Sequence, residues 1–309
     1  MLWSGRRAGA VLGAVAVAWI AACGGGSDTQ HGFNILANQG GPAQTAVGSQ
    51  NSPYGVTFDS NGYLYIGSDT GRITRVDQNG VKTVFAETGV RLAGLATGPQ
   101  NEIFAAAPNE GAVIAVAQNG GKRVATSGLD TPVAITFDPN KFPLVAARGD
   151  HGFPAIARIE FDTTFTVLTE SVDNPSGLAF GTDGRLYVSD YQHNRIVVMS
   201  FDSPAVLTAP EDYAIGITLP EGLVFDAAGH LFVATTDQVW VVDFTASNPI
   251  RPFVVSGDID GPTSLAFGIG PDRDTGTMWI ANYGYPLLGS GTTVSNVKIG
   301  IPGNPLYAP

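Results

Sequence analysis

From residue 53 onward the chain alternates short apolar runs with turns rich in Gly, Asp and Asn, and one arrangement recurs six times. The units open on Pro53-Tyr-Gly-Val-Thr-Phe58, Leu92-Ala-Gly-Leu-Ala-Thr97, Pro132-Val-Ala-Ile-Thr-Phe137, Pro175-Ser-Gly-Leu-Ala-Phe180, Pro220-Glu-Gly-Leu-Val-Phe225 and Pro262-Thr-Ser-Leu-Ala-Phe267. Their last residues stand 39, 40, 43, 45 and 42 positions apart. A turn follows, as in Asp59-Ser-Asn-Gly62, Gly181-Thr-Asp-Gly184 and Asp226-Ala-Ala-Gly229. Asn-Gly and Asp-Gly tolerate the positive φ that a tight hairpin demands. A second apolar run comes next: Leu64-Tyr-Ile66, Ile103-Phe104, Leu144-Val145, Leu186-Tyr-Val188, Leu231-Phe-Val233 and Met278-Trp-Ile280. A third follows, as in Arg72-Ile-Thr-Arg-Val76 and Arg195-Ile-Val-Val-Met199, and a more polar fourth closes most units, as in Val81-Lys-Thr-Val-Phe85. No segment between these runs carries the 3.6-residue period of an amphipathic helix.

Four strands per unit of about 42 residues, six times over, predict an all-β fold, a six-bladed β-propeller of four-stranded blades. A sandwich with long loops is the competing architecture, and it would not return nearly equal repeats. The sixth unit lacks its last strand, because after residues 294–299 only the Gly- and Pro-rich 300–309 remain. An incomplete blade would leave a sheet edge open in the ring, which proteins avoid. Phe33-Asn-Ile-Leu36 or Thr45-Ala-Val47 is therefore expected to supply that strand and clasp the ring, making residues 33–309 the propeller.

Composition sharpens this in three ways. With 44% hydrophobic and 14% charged residues over 309 positions, the chain is no disordered polymer. A net charge of −11 excludes nucleic acid as a partner, since phosphate needs clustered Lys and Arg. The single cysteine excludes internal disulfides and Cys-rich zinc sites. That cysteine is Cys23, preceded by Arg6, Arg7 and an apolar stretch over residues 8–22. The stretch falls short of the roughly 20 residues of a spanning helix. Ile20-Ala21-Ala22-Cys23 resembles the lipobox of bacterial lipoproteins, which implies cleavage before Cys23 and a diacylglyceryl group on its thiol. A buried anchor helix with an incidental cysteine is the other reading. Residues 1–22 are thus expected to be a signal peptide, and 23–32 a lipidated cysteine with the flexible tether Gly24-Gly25-Gly26-Ser27. The product would be exported to the bacterial cell envelope and anchored through its lipid. Losing the signal leaves 14 basic and 27 acidic residues, a net charge of −13 that favours a self-repelling monomer without a basic membrane patch.

The fourth unit, Pro175-Ser-Gly-Leu-Ala-Phe-Gly-Thr-Asp-Gly-Arg-Leu-Tyr-Val-Ser-Asp-Tyr-Gln-His-Asn-Arg-Ile196, resembles an NHL repeat, and the first and fifth match its opening half. The repeats also resemble the gluconolactonase-like propellers of the senescence-marker protein family. This resemblance implies a calcium ion at one mouth of the central tunnel. Its ligands would be a first-blade acid, the Asn of a Pro-Asn-Gly and the Asp of a Pro-Asp-Gly. Here Tyr54 and Ser176 stand at the first two places, and Glu221, in Pro-Glu-Gly, at the third. Calcium takes six to eight oxygens, usually with several carboxylates. A weaker divalent-metal site from Glu221, Asp190 and Asn282, on adjacent blades, is the remaining cofactor expectation.

In such a propeller one mouth gathers the second residue of each opening run and the residues that end each second strand. The first set is Tyr54, Ala93, Val133, Ser176, Glu221 and Thr263. The second is Ser68 and Asp69, Ala107, Arg148, Asp190 and Tyr191, Thr235, and Asn282 and Tyr283. Glu221 is a candidate base or ligand because the other five members of its set are uncharged; a solvated loop carboxylate is the plain alternative. Asp190 belongs to the NHL pattern itself, where the plain reading is a carboxylate that bonds loop amides. His151, in Arg148-Gly-Asp-His-Gly152, is the other acid–base candidate; His193 and His230 read as structural. Tyr54, Arg148, Asp190, Tyr191, Asn282 and Tyr283 are the candidate ligand-binding residues, for a small molecule or an envelope protein. The loop Asn282-Tyr-Gly-Tyr-Pro-Leu-Leu-Gly-Ser-Gly-Thr-Thr293 is a lid or plain packing. Two functions follow: a lipid-anchored binding module, or a divalent-metal-dependent hydrolase of the lactonase type with Glu221 as ligand or base.

Overall fold

The computed structural model describes residues 40–270, 272–284 and 290–304. The expected signal peptide, Cys23, the tether and the strand over residues 33–36 lie outside the described residues, as do residues 285–289 of the longest loop.

The described chain forms six antiparallel four-stranded sheets. The first blade runs outward through Pro53–Phe58, Leu64–Ser68, Arg72–Val76 and Lys82–Glu87. Blades two, three and five repeat this order from Leu95–Thr97, Pro132–Phe137 and Leu223–Phe225. In blades two and five the innermost strand is shorter than its apolar run. The fourth blade starts at Pro175–Phe180 and inserts a small hairpin, Phe201–Ser203 with Val206–Leu207, before its outer strand Glu211–Ile215. The sixth contributes Pro262–Phe267, Thr277–Asn282 and Thr293–Lys298, and its outer place is taken by Gln44–Val47. Gln44 pairs with Asn296 and Val47 with Val294, antiparallel. The ring is therefore closed by an N-terminal strand, and of the two candidate segments the one at residues 45–47 supplies it.

The opening runs recur because each position meets a fixed surrounding. The third residue is glycine in four blades, where a Cβ would collide with the carbonyl of the next blade. It would lie 2.5 Å from the Ala93 oxygen at Gly55, 2.6 Å from Val133 at Gly94, 2.1 Å from Glu221 at Gly177 and 2.6 Å from Thr263 at Gly222. Backbone hydrogen bonds follow the same step, from Gly94 N to Val133 O (2.9 Å) and from Gly222 N to Thr263 O (3.1 Å). In the sixth blade Ser264 takes the place, and its hydroxyl accepts the Val56 amide of blade one (3.2 Å). The last residue is Phe in five blades and is buried between sheets, as where Phe58 meets the Trp279 ring edge-on at 5.7 Å. The core thus lies between blades, in six clusters of buried apolar side chains.

In blades one, three and five the turn after the opening run is built on a buried aspartate, Asp59, Asp138 and Asp226. Asp59 Oδ1 accepts the amides of Asn61 and Tyr63, and Asp226 Oδ1 those of Ala228 and His230. Gly62 and Gly229 follow with φ of +81° and +90°. In the third blade Lys141 adopts φ +66° in that place.

Candidate functional site

The innermost strands begin and the second strands end at the same mouth of the tunnel, as the register of Pro53 opposite Ser68 and Pro175 opposite Asp190 requires. Glu221 precedes the innermost strand of blade five. Its amide donates to Ala234 O (2.8 Å), and its carbonyl accepts the Ser189 hydroxyl (2.6 Å) while resting on Gly177. The side chain is held toward the mouth by this backbone, with only 13% of its surface exposed. There a terminal guanidinium nitrogen of Arg148 lies 3.3 Å from each carboxylate oxygen, and the Tyr54 hydroxyl donates to Oε2 at 3.4 Å. These three come from blades one, three and five, 73 and 167 residues apart from Glu221 in sequence.

Around them a second cluster balances the charge. Tyr283 meets the Tyr54 ring edge-on at 4.9 Å and donates its hydroxyl to Asp69 (3.1 Å). Arg91 donates to that hydroxyl (3.1 Å) and to Asp69 (2.5 Å). Tyr191 lies 5.2 Å from the Arg148 guanidinium carbon, in cation–π range. Among the described residues, two buried polar atoms at this mouth have no hydrogen-bond partner: Arg148 Nε and Asn174 Oδ1. Asn174 is itself tied in place by donating to Arg148 O (3.4 Å).

Burial raises the proton affinity of Glu221, and Arg148 and the Tyr54 hydrogen bond oppose that rise. Burial works against the Arg148 charge, but Glu221 and Tyr54 more than compensate, so it stays cationic. The Tyr54 hydroxyl is pushed well above its ordinary value, first by burial and then by Glu221, and remains a donor. The arrangement is a protonated phenol and a fixed cation around one carboxylate, suited to taking a proton and to stabilising an oxyanion.

Other expected residues are placed elsewhere. Asp190 is fully buried within blade four, accepting from His193 (2.9 Å) and Arg195 (2.9 Å). Asn282 is buried within blade six, donating to Asp258 O, the Thr293 hydroxyl and the Ser295 hydroxyl at 3.0–3.1 Å. The expected set of Glu221, Asp190 and Asn282 is therefore not assembled, because two of the three are spent inside their own blades. Among the described residues no group of three His, Cys, Asp or Glu side chains is placed to hold a metal ion. His151 is 83% exposed, with its Nδ1 against Asp130 (2.7 Å) beside a groove of about 530 Å³. Ser176 and Thr263 knit the ring, donating to Pro220 O (2.6 Å) and Tyr54 O (2.7 Å). Arg91 and Asn174 are site residues that the repeat pattern does not single out. Their signal is positional: each directly precedes an opening run.

Behind the cluster the tunnel narrows to about 70 Å³, between Tyr54, Ser176 and Thr263. At its far end, among the turns, it widens to about 350 Å³ with apolar walls that include Leu95, Ile135, Leu178 and Leu223.

A tunnel ringed by six four-stranded blades defines the class, a six-bladed β-propeller. Within that class the resemblance to gluconolactonase-like propellers holds, since residues 141–282 match the family described as SMP-30/Gluconolactonase/LRE-like region. The chain is 26% identical over 231 residues to the pentonolactonase XacC of Haloferax volcanii, covering 70% of this chain and 76% of that one. A gluconolactonase from Xanthomonas campestris superposes with a TM-score of 0.69 at 15% identity, over 87% of this chain and 100% of the other. Regucalcin from Agrobacterium tumefaciens, described as a calcium-binding protein, gives 0.68 at 18% identity over 88% and 98%. These two likenesses establish the fold.

The donors present at the mouth decide whether the calcium implied by that resemblance fits. The mouth offers the Glu221 carboxylate, whose two oxygens already face a guanidinium, and that of Asp69, which is bound to Arg91 and Tyr283. The Ser176 hydroxyl is committed to a carbonyl. Such a donor set does not fit calcium.

Proposed function

We propose that this protein is a hydrolase of the gluconolactonase type, opening a cyclic ester at the tunnel mouth. The observation that carries it is the buried Glu221 held between Arg148 and the Tyr54 hydroxyl. The match to the gluconolactonase-like family and the likeness to a pentonolactonase support the reading. In this scheme Glu221 takes a proton from a water whose oxygen attacks the lactone carbonyl. Arg148 and the Tyr54 hydroxyl stabilise the resulting oxyanion. On collapse the ring C–O bond breaks, and the leaving alkoxide receives the proton from Glu221, giving one hydroxy acid. Export and a lipid anchor on Cys23 belong to the same proposal, supported by the Arg6-to-Cys23 pattern. The direct test is acid release from a panel of sugar lactones in a pH-stat. Turnover abolished in Glu221→Gln is the expected result, and no turnover with any lactone would sink the proposal.

One observation favours a second reading, a lipid-anchored module that binds a small molecule or an envelope protein. Tyr54 and Tyr283 meet edge-on at 4.9 Å beside Glu221 with only 7% and 6% of their surface exposed, packing that crowds the carboxylate a water and a lactone would have to reach together. Saturable binding of a lactone without hydrolysis would select it.

A further inference from the structure

We propose that Arg148 supplies the positive charge at this mouth, so that the site works without a divalent cation. The inference rests on the hydrolase reading for its catalytic part and on geometry alone for its binding part.

The two central carboxylates of the mouth are paired before any ligand arrives. Arg148 faces Glu221 and Arg91 faces Asp69, two cations against two carboxylates, joined through Tyr54 and Tyr283. Both carboxylates are neutralised at contact distance, and any ion bridging the Glu221 oxygens would sit against a guanidinium 3.3 Å from both. Asp190 and Asn282, which could add oxygens, are turned inward.

What the mouth leaves open is hydrogen bonding. Among the described residues Arg148 Nε is buried without a partner, and a guanidinium N–H can only donate, so it calls for a ligand oxygen. Asn174 Oδ1, on a side chain only 6% exposed, is the matching unused acceptor. A buried orphan of either kind is costly; the Arg148 N–H can be relieved only by an acceptor atom, never by a metal ion, while Asn174 Oδ1 takes a donor. Arg148 is also held firmly in position, since its amide donates to Thr131 O (2.9 Å) and its guanidinium lies beside the Tyr191 ring.

The test begins with binding. The full-length chain, stripped with a chelator, is titrated with calcium by calorimetry and with terbium by luminescence, and its melting is followed in millimolar calcium. No saturable binding and no change in melting temperature are expected; saturable calcium binding that Glu221→Gln abolishes would overturn the proposal. This arm decides the matter even if no lactone is turned over, which would defeat only the hydrolase reading. Where turnover exists, wild-type rates with and without chelator should agree within about two-fold, and a chelator that abolishes them overturns the proposal. Arg148→Ala should lose about 100-fold or more, with partial rescue by added guanidinium ion and none by calcium. Rescue by calcium alone, or a folded variant that guanidinium leaves dead, overturns it. Arg148→Lys, which keeps a cation beside Glu221, provides the readout should the alanine variant not fold.

Discussion

Glu221 shows how one residue's chemistry is set by what surrounds it. Burial would keep the carboxyl protonated, and a single guanidinium works against that. A base must be deprotonated to act, so the rate should fall as pH drops through a proton affinity lying above the ordinary carboxylate range. A pH–rate profile of kcat/KM checks this, and an acid limb near pH 4 would contradict it. Glu221→Gln should cost about 10²- to 10⁴-fold in kcat and also lower melting, because Arg148 loses its carboxylate partner, as measured by steady-state kinetics beside calorimetry. His230 carries a second pH effect, on stability. It is buried against Asp226 (2.7 Å) and Asp243 (3.7 Å), with Arg251 also bound to Asp243, and the Asp226 hydrogen bond raises it above its ordinary 6.5. A raised histidine contributes stability that is complete below the unfolded value and lost as pH rises through the folded one. Melting should therefore decline from about pH 6.5 upward. His230→Gln should flatten that decline, and an unchanged slope in the variant would assign it to other groups.

Among elements, the innermost strands explain why the repeat exists. In four blades the third residue must be glycine because the next blade's carbonyl lies where a Cβ would stand, and at Gly177 that separation is 2.1 Å. Gly177→Ala should destabilise by about 2 kcal/mol or more, since the obstruction is backbone and cannot rotate away. The same substitution would push on the Glu221 carbonyl and so lower activity. Gly41→Ala is the control: nothing lies within 4 Å of its added Cβ, and its melting should match the wild type. Equal losses at both positions in thermal denaturation would refute the account.

For the whole molecule, closure and anchoring are separate questions. Gln44–Val47 completes the sixth sheet, and removing it leaves Thr293–Lys298 as an open edge. A chain beginning at Asn51 should melt lower and aggregate, as light scattering would show; a stable monomer would refute the clasp. Anchoring rests on the sequence alone. Mass spectrometry of the mature protein should find a lipid on Cys23, and Cys23→Ala should release the protein from membranes.

The repeat, the number of blades and the need for a closing strand are all legible in the amino-acid order, because each is a periodic demand that every unit restates. The same order brings Tyr54, Arg148 and Glu221 to one mouth, since position within a repeat decides which end of a blade a residue occupies. How those residues are used is settled only in three dimensions. Asp190 has the position of a ligand, but His193 and Arg195 on its own hairpin capture the carboxylate first, and Asn282 is captured by Ser295 in the same way. Arg91 and Asn174 join the site from just outside the repeating run, where no period marks them. Position along a strand is a one-dimensional property; which cation reaches which carboxylate depends on side-chain packing across blades, as between Arg148 and Glu221, 73 residues apart, and only the closed ring fixes that.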